Sequence, residues 1–438
     1  MAQPAQQGTN QGRFSGAEVA IEPDDHARRQ QRSQLAAESD GRPFVRQIQA
    51  QRRLLIRRLE GWTMIRAMQA KNSDTDALAE NRDTVDGSAL VKKIKTWGRE
   101  LGFAELGIAH ADVSAASPGL RRWLELGRHG EMDYMAKHAA LRGQPDTLVP
   151  GALSVISARL PYWPQATPGE QVLADRQLGF ISRYALGRDY HKTVRQRLQK
   201  LADRIGDELR MCAPERPFAY RVFSDSAPVM EVEFARQSGI AWRGKHTLSL
   251  TREGSWHFLG EIYTDLPLPP DEPIGEHCGT CRRCLDACPT KAIVAPYEVD
   301  ARLCISYLTI ELHGAMPVEL RPLIGNRIYG CDDCQLCCPW NDFARLGDPD
   351  FAVRHGLDAK LLAELFAWTE REFDQRLSGS PIRRIGHERW LRNVAVALGN
   401  ASDSLSTRAA LRARLDHPSA LVREHVAWAL MQINAVPS

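Results

Sequence analysis

The sequence predicts a multidomain α+β protein, and three observations lead to that fold class. Helical and strand patterns alternate over residues 89–265, which is typical of an α/β domain. Clustered cysteines mark residues 266–345 as a separate domain, and residues 346–438 carry mainly helical patterns. Residues 1–88 are rich in Gln, Arg and Ala, which predicts a disordered or loosely helical extension.

The composition is that of an ordinary globular protein. The 438 residues are 43% apolar and 25% charged. No run of 18 apolar residues is present, and the polar N-terminus lacks the apolar segment of a secretory signal. We therefore expect a cytoplasmic protein without a membrane span, in which clustered cysteines bind metal rather than form disulfides. The net charge of +3 is too small to indicate a polyanionic partner by itself.

The elements of the α/β domain follow from local patterns. LVKKIKTWGRELGF has the apolar spacing of a helix, and AELGIAHAD and the β-branched segment ALSVISARLPY predict strands. YHKTVRQRLQKLADRIGDELR predicts a long amphipathic helix. KHTLSLTREGSWHFLGEIYTDL predicts two strands joined by a turn. The proline-rich segment DLPLPPDEPIGE is the predicted linker into the cysteine region.

The first cysteine run has the spacing C-x2-C-x2-C-x3-C-P, from Cys278 to Pro289. This is the bacterial-ferredoxin spacing for a [4Fe–4S] cluster, in which three thiolates bind one cluster and the fourth binds its neighbour. A structural zinc site, the competing interpretation, would need only four thiolates, usually in two separated C-x2-C pairs. The spacing and the number of cysteines therefore favour a ferredoxin-like domain with two [4Fe–4S] clusters.

The second cysteine run departs from that spacing, because Cys338, the cysteine before proline, directly follows Cys337. Cys338 is therefore the predicted crossing ligand to the first cluster. Spacing alone leaves Cys337 and the isolated Cys304 as candidates for the last ligand of the second cluster. Adjacent residues would have to bind different clusters if Cys337 were used, so we favour Cys304. The predicted ligands are Cys278, Cys281, Cys284 and Cys338 for cluster 1, and Cys288, Cys304, Cys331 and Cys334 for cluster 2.

Two electron-transfer clusters imply a second redox centre or a substrate in the α/β domain. Asp225, in Ser-Asp-Ser-Ala-Pro, has by default the sequence context of a helix N-cap. RDYHKTV is close to the D-x-H-x-x-G signature of proteins that bind cobalamin through histidine, but Val194 replaces the glycine. The segment is therefore predicted to start a helix with His191 on its surface. The isolated Cys212 is predicted to be a small buried apolar residue.

The C-terminal region repeats an apolar motif, VAVAL at 394–398 and VAWAL at 426–430. This resembles HEAT-type helical repeats, although such repeats usually run longer. Arginines without lysines are concentrated between Arg376 and Glu424, which favours an RNA-binding surface over a merely solvated face. The arginines predicted to contact RNA are Arg383, Arg384, Arg392 and Arg423.

Four segments together resemble the epoxyqueuosine reductase family: DSAPVME…GIAWRGKHTLSL, CGTCRRCLDACPTKAI, CISYLTIELHGAMPVELRPLIGNRIYGCDDCQ and CPWNDFA. The resemblance extends from about Leu90 to Met431. It implies a cobalamin-dependent oxidoreductase with two [4Fe–4S] clusters that reduces epoxyqueuosine to queuosine at the tRNA wobble position. The α/β domain would then bind cobalamin. The implied partners are the tRNA anticodon loop and an external electron donor, and we expect a monomer.

The same resemblance implies roles for individual residues. Cys304 would be the missing ligand of the second cluster, Asp225 the proton donor, and His246 part of the cobalamin pocket. Lys137 stands where similar sequences often have Arg, which keeps the positive charge but loses a bidentate contact. The residues expected to contact cobalamin are Lys137, Asp225, His246, Thr247 and Ser306.

Two other functions are compatible with clustered cysteines of this kind. A reductive dehalogenase also combines cobalamin with two clusters, but the missing export signal and the extra helical region argue against it. A plain electron-transfer iron–sulfur protein is disfavoured, because some 190 residues of α/β pattern precede the first cluster motif. Epoxyqueuosine reduction is therefore the predicted function.

Overall fold

The computed structural model describes residues 86–435, and nearly all of the extension predicted at residues 1–88 lies outside the described residues. The described chain belongs to one compact unit. Among its residues, no helix is both long and apolar enough to cross a membrane. Strands and helices are numbered separately below, in chain order.

Ten strands lie among residues 86–435, and most of them are short. They are β1 Glu105–His110, β2 Ser154–Pro161, β3 Phe180–Ile181, β4 Tyr220–Phe223, β5 Trp242–Arg243, β6 Ser249–Leu250, β7 His257–Thr264, β8 Ile293–Ala295, β9 Glu298–Val299 and β10 Arg327–Tyr329. Four of them form the main sheet in the order β1–β2–β7–β4, and every pairing in it is antiparallel.

Seventeen α-helices accompany these strands in the described range. They are α1 Gly87–Glu100, α2 Ser117–Glu125, α3 Asp133–Lys137, α4 Ala139–Arg142, α5 Pro145–Leu148, α6 Gly169–Ala174, α7 Tyr190–Cys212, α8 Glu231–Gln237, α9 Arg283–Ala287, α10 Ile305–Ile310, α11 Arg321–Ile324, α12 Asp333–Leu336, α13 Leu362–Ala367, α14 Glu370–Arg376, α15 Gly386–Gly399, α16 Leu405–Arg412 and α17 Ala420–Ala435. Short 3₁₀ turns link several of them.

The long helix α7 packs on the main sheet through one apolar face. Val194, Leu198 and Leu201 on that face are fully buried, as the helical spacing of apolar residues requires. Gly260 in the central strand β7 permits the close approach. A Cβ at this position would lie 2.7 Å from side-chain atoms of both Val194 and Leu198. The sheet and α7 therefore form a rigid platform whose edges carry functional side chains.

The cysteine region is built from short elements that begin or end at cysteines. Helix α9 carries Cys284 and ends at Cys288, and Cys304 is the N-cap residue of α10. Helix α12 carries Cys334 and ends at Cys337. Short helices suit this task, because each one turns successive thiols toward different directions within a few residues.

In the C-terminal region, α15 and α17 carry the two copies of the repeated apolar motif and pack against each other. A Cβ added to Gly399 would lie 2.8 Å from the Cα of Ala429, so the contact depends on small residues. This packing agrees with a repeat, while the assignment as HEAT-like repeats stays a prediction.

A buried polar network joins α15 to the helix that follows Cys304. Arg392 donates to the carbonyl oxygens of Leu308 at 2.8 Å and Leu312 at 2.6 Å. Asn393 donates to the carbonyl oxygen of Thr309 at 2.8 Å. Arg392 is fully buried. Its predicted role on an RNA-binding surface is therefore wrong, because its guanidinium group donates hydrogen bonds to backbone carbonyl oxygens inside the protein.

The predicted mixed α/β fold is confirmed, with two differences in detail. The main sheet is antiparallel, because each strand runs in the opposite direction to its neighbours, whereas the alternation of helix and strand had indicated an α/β unit. The two strands predicted around the turn at 252–255 both form, but β6 pairs with β5 and β7 joins the main sheet. The boundaries of the three predicted domains stay a prediction.

Candidate active site

A small cavity in the cysteine region is lined by four thiols. They belong to Cys278, Cys281, Cys284 and Cys338. Lys245 holds the loop of the first motif, because its Nζ donates to the carbonyl oxygens of Gly279 at 2.6 Å and Cys281 at 3.0 Å. Cys281 is exposed, whereas Cys284 and Cys338 are buried. Solvent therefore reaches this cavity at Cys281.

A second cavity, of about 490 Å³, is lined by a different set of thiols. We call these four thiols, of Cys288, Cys304, Cys331 and Cys334, the thiol wall. Cys337 lines neither cavity and instead packs beside the apolar cluster that contains Cys284 and Ile293. The structure thus brings together the two sets of four cysteines that were predicted as ligand sets.

Each set has the composition that one [4Fe–4S] cluster requires, four cysteine thiols around one space. A single zinc ion would need its ligands to converge more tightly. Among residues 86–435, no group of three His, Cys, Asp or Glu side chains is placed to hold a single metal ion. The residues present therefore fit two clusters better than one zinc ion.

The remaining surface of the large cavity carries most of the residues predicted to contact cobalamin. Asp225, His246, Thr247 and Ser306 all line it. Lys137 does not; it is exposed at the end of α3. Four of the five predicted residues are therefore brought to one cavity, and Lys137 is not.

His246 is the most informative of these residues for the fit of a bound group. Its Nδ1 accepts a hydrogen bond from the backbone N–H of Leu248 at 3.1 Å, and burial lowers the pKa of His246 to about 4. The ring is therefore neutral, with its proton on Nε2. That atom is buried and has no hydrogen-bond partner among the described residues. His246 lines both cavities, so a donor without an acceptor lies where cofactors would bind.

Acidic and phenolic side chains also line the large cavity, and we call this group the acid wall. It consists of Tyr190, Asp225 and Glu231, and His191 and Asp189 support it from behind. The Oδ2 atom of Asp225 accepts hydrogen bonds from the hydroxyl of Tyr190 and from Nε2 of His191, the latter at 2.8 Å. Asp189 contacts Nδ1 of His191 at 2.7 Å. Asp225 is thus the end of an ordered chain of polar groups.

Local sequence explains how these groups meet. Asp189 caps α7, because its carboxylate accepts the backbone N–H of His191, and this places Tyr190 and His191 in the first turn. Asp225 follows β4 with a φ of +51°, a left-handed conformation that Asp tolerates better than most residues. Asp225 is not a helix cap, since α8 begins six residues later with Met230 as its N-cap residue.

The electrostatics of the acid wall determine where the proton lies. Burial alone raises the pKa of Asp225, but hydrogen bonds from His191 and Tyr190 outweigh it and hold the pKa below 3.8. Burial alone lowers the pKa of His191, but hydrogen bonds to Asp189 and Asp225 hold it above 6.5. These opposite shifts keep the shared proton of this hydrogen bond on His191 rather than on Asp225.

A side cavity of about 390 Å³ shares Tyr184, Tyr190 and Asp225 with the large cavity. Arginines and tyrosines also line it, namely Arg142, Arg384, Arg389, Tyr134 and Tyr329. Guanidinium groups and aromatic rings are the groups that contact phosphates and stack on bases. The side cavity therefore offers a binding space for an aromatic base next to Asp225.

Sequence reasoning assigned no role in this site to Asp189, Tyr190, His191 or Glu231, and it misplaced one residue elsewhere. His191 was predicted on the surface of a helix start; the helix start is confirmed, but the side chain is only 13% exposed and contacts Asp225. Tyr190 was not singled out, although the D-x-H signature in RDYHKTV could have drawn attention to both residues. Cys212, predicted to be buried, is exposed at the end of α7, where the apolar face has ended.

Comparison with known proteins identifies relatives of this chain. A model described as 4Fe-4S double cluster binding domain matches residues 277–341, and one described as Epoxyqueuosine reductase QueG, DUF1730 matches residues 142–226. Epoxyqueuosine reductase from Pseudomonas aeruginosa is 56% identical over 356 residues, which covers 81% of this chain and 97% of the relative. The Escherichia coli enzyme is 53% identical over 353 residues, which covers 80% and 91%.

Solved structures give the same result. An epoxyqueuosine reductase in a crystal structure with a tRNA-Tyr epoxyqueuosine-modified tRNA stem loop has a TM-score of 0.72 at 29% identity. The match covers 80% of this chain and 91% of that chain. The Bacillus subtilis enzyme, solved with its catalytic loop swung out of the active site, has a TM-score of 0.68 at 30% identity and the same coverage.

A double-cluster domain beside a cavity with a hydrogen-bonded acid defines the class of the protein, an iron–sulfur oxidoreductase. Its relatives define it further. The chain belongs to the epoxyqueuosine reductase family, the oxidoreductases of queuosine biosynthesis in tRNA. Cobalamin and two [4Fe–4S] clusters are the cofactors of this family. The resemblance, the enzyme class and the cofactors predicted from the sequence are confirmed.

Proposed function

We propose that this enzyme removes the epoxide oxygen of epoxyqueuosine with electrons that arrive through the thiol wall and protons that arrive through the acid wall. The observation that carries the proposal is that both walls line one cavity, with Cys304 and Cys334 among its thiols and Asp225 among its acids. A reduction that also consumes protons needs electrons and protons to reach the same substrate.

The proposed ligands follow the two thiol sets. Cluster 1 would be bound by Cys278, Cys281, Cys284 and Cys338, and cluster 2 by Cys288, Cys304, Cys331 and Cys334. Residues His246, Thr247 and Ser306 would hold cobalamin in the large cavity. Bound there, cobalamin would supply the low-potential metal centre that breaks the epoxide C–O bond. The protein itself orients this chemistry and delivers charge to it.

The direction of electron flow follows from exposure. Cys281, in the set for cluster 1, is exposed, whereas the thiol wall lies inside the large cavity. Cys281 would therefore hold cluster 1 where an external electron donor can reach it, and the thiol wall would hold cluster 2 inside the large cavity; the chemistry that such clusters supply is single-electron transfer. The neutral His246 ring lies between the two cavities and contributes to both linings.

The proton supply follows from the pair of Asp225 and His191. Replacing an epoxide by a carbon–carbon double bond consumes two electrons and two protons and releases water. Asp225 reaches the cavity, so it is the group that protonates the leaving oxygen. Because Asp225 is ionised at rest, that proton comes from His191 along the 2.8 Å hydrogen bond. Asp189 then keeps the His191 ring in the required orientation.

The substrate base would enter from a single-stranded tRNA loop, as sequence-specific RNA recognition usually requires. The side cavity supports this, since its arginines and tyrosines adjoin Asp225. Exposed arginines of the C-terminal region, Arg383 and Arg423 among them, would contact the tRNA backbone. Action as a monomer in the cytoplasm completes the proposal.

One experiment tests the scheme as a whole. Anaerobically purified protein should contain about eight irons per chain and a bound cobalamin seen in its absorbance spectrum. It should convert an epoxyqueuosine-modified stem loop to the queuosine form, detected by the mass of the lost oxygen. Two or fewer irons per chain, or bound zinc, would contradict the ligand assignment. Loaded protein that leaves the modified stem loop unchanged would contradict the function.

A further inference from the structure

The loop that carries Asp225 is short, and it is anchored near its C-terminal end by Val229, which is buried in an apolar cluster with Phe223 and Phe234. It connects β4 to α8, and Asp225 lies in it with a φ of +51°. Within the loop, the backbone N–H of Ser226 donates to the carbonyl oxygen of Ser224 at 2.7 Å. A left-handed, non-glycine residue persists only where its surroundings hold it. The backbone of Asp225 is therefore expected to contact a group outside the loop.

Glu231 provides that contact. Its Oε1 atom accepts a hydrogen bond from the backbone N–H of Asp225. Glu231 is the first residue of α8, so its backbone is fixed by a helix whose Phe234 and Ala235 are fully buried. The bond therefore joins the strained residue to a rigid element. It acts on the backbone of Asp225, whereas Tyr190 and His191 act on its side chain.

The surroundings of Glu231 keep its carboxyl group neutral at physiological pH. Burial and the charge of Asp225 together raise the pKa of Glu231 to about 8, although the Asp225 N–H bond, His191 and Arg142 act in the opposite direction. Glu261 on β7 is fully buried nearby and adds a further acid to this environment. A protonated carboxyl group still accepts a hydrogen bond at its carbonyl oxygen. An amide can therefore replace it in this bond.

We propose that Glu231 is a positioning residue, whose hydrogen bond to the Asp225 backbone holds the catalytic loop in the conformation that directs the Asp225 carboxylate into the cavity. This inference rests on the proposed function of Asp225 as proton donor. It assigns a structural cause to loop placement in a family where one relative has been solved with its catalytic loop swung out of the active site. Glu231 itself need not touch the substrate.

Three variants of the loaded, full-length enzyme test the proposal. Glu231→Ala removes the acceptor, and Glu231→Gln keeps an oxygen acceptor without an exchangeable acid proton. Glu233→Ala is the matched control, because Glu233 lies on the same helix but contacts Arg236 and Gln237 rather than the loop. Iron content and the cobalamin spectrum verify that each variant is folded and loaded.

The first measurement is hydrogen–deuterium exchange of the peptide that contains residues 224–230, which does not depend on turnover. In Glu231→Ala, we expect the Asp225 amide to exchange roughly fivefold faster, the factor that one hydrogen bond between neutral groups is worth. The second measurement is kcat on the modified stem loop. It should fall by roughly 10²-fold in Glu231→Ala, as for other misplaced reacting groups, with KM nearly unchanged. Glu233→Ala should stay near the parent in both measurements, and Glu231→Gln should keep the slow exchange of the parent.

Two results would overturn the proposal. If Glu231→Ala exchanged and reacted like the parent, the hydrogen bond would not position the loop. If Glu231→Gln kept the slow exchange but lost as much kcat as Glu231→Ala, Glu231 would act by carrying a proton instead. Failure of the proposed function is distinguishable, because it would appear as an inactive, fully loaded parent enzyme while the exchange difference between variants could still be measured.

Discussion

The thiol wall and the acid wall line the same cavity, yet they are assembled in different ways. The four cysteines of the thiol wall lie within one segment, residues 288–334. The acid wall and its support combine residues 189–191 at the start of α7, Asp225 after β4 and Glu231 on α8. One wall is a local arrangement of short elements, and the other exists only once the sheet has formed.

This difference determines how each wall tolerates change. A cluster needs all its thiolates, so removal of one ligand should abolish the function of the whole thiol wall. Members of the acid wall act through successive hydrogen bonds, so the effects of substitution there should be graded by distance from the reacting atom. Substitutions in the two walls should therefore differ in the size of their effects.

The largest effect is expected at Cys304. Cys304→Ser should lower the iron content and abolish activity, because the thiol wall would lose one of its four thiols. Cys337→Ser is the matched control, since Cys337 lines neither cavity, and it should keep both iron and activity. Iron analysis and the stem-loop assay measure the two outcomes. Equal losses in both variants would show that the ligand set is wrong.

A smaller but still large effect is expected at Asp225. Asp225→Asn should bind tRNA and all cofactors and should turn over about 10²–10⁴-fold more slowly, because an amide cannot deliver the proton. Single-turnover rates on the modified stem loop give the comparison. Parent-like rates would mean that Asp225 is not the acid of the acid wall.

At His191, one step further from the substrate, the effect should be smaller and should depend on pH. His191→Gln should lower kcat by about 10–100-fold, as for other groups that support a reacting residue. In the parent, the pKa of His191 lies above 6.5, so the protonated form is present at lower pH and is lost as pH rises through that raised pKa. The parent profile of kcat should therefore fall on its alkaline side. A profile of the same shape in His191→Gln would remove His191 from the proton supply.

The smallest effect is expected outside both walls. Arg383→Ala combined with Arg423→Ala should weaken tRNA binding several-fold and flatten its salt dependence, by about 0.7–0.9 in slope for each phosphate that the protein no longer neutralises. Both residues are exposed, and the cofactor spectra should not change. Parent-like tRNA affinity and salt dependence in the double variant would exclude this surface.

Arg392→Ala is the contrast. It should lower the free energy of unfolding by about 2–5 kcal/mol, because Arg392 is buried.

Local patterns explain what could be predicted from the sequence. The thiol sets follow from cysteine spacing except at Cys304, which spacing alone left open against Cys337. The helix α7 and the strands β1, β2 and β7 follow from apolar periodicity. Such features depend on neighbours in the chain, which the sequence displays directly. The main sheet could be expected as a set of strands, but not in its antiparallel order, because order depends on contacts between distant segments.

The errors have the same origin. His191 contacts Asp225 across 34 positions of sequence, and no local pattern records that contact. Arg392 belongs to an arginine-rich segment that suggested solvent exposure. Its guanidinium group instead donates hydrogen bonds to carbonyl groups more than 70 residues earlier in the chain. Charge composition reveals how many arginines a region has. It does not reveal which of them the fold requires internally.

The network of Arg392 and Asn393 has a consequence for the evolution of this architecture. Its acceptors are carbonyl groups of α10 and the turn after it, and α10 begins at Cys304. Backbone carbonyls are present whatever the side chains, so the acceptors can be conserved in position while their sequence drifts. The C-terminal helices therefore cannot be exchanged freely for those of another protein. A chimera that takes them from another protein must bring matching donors, or the helix that starts at a cluster ligand loses its support.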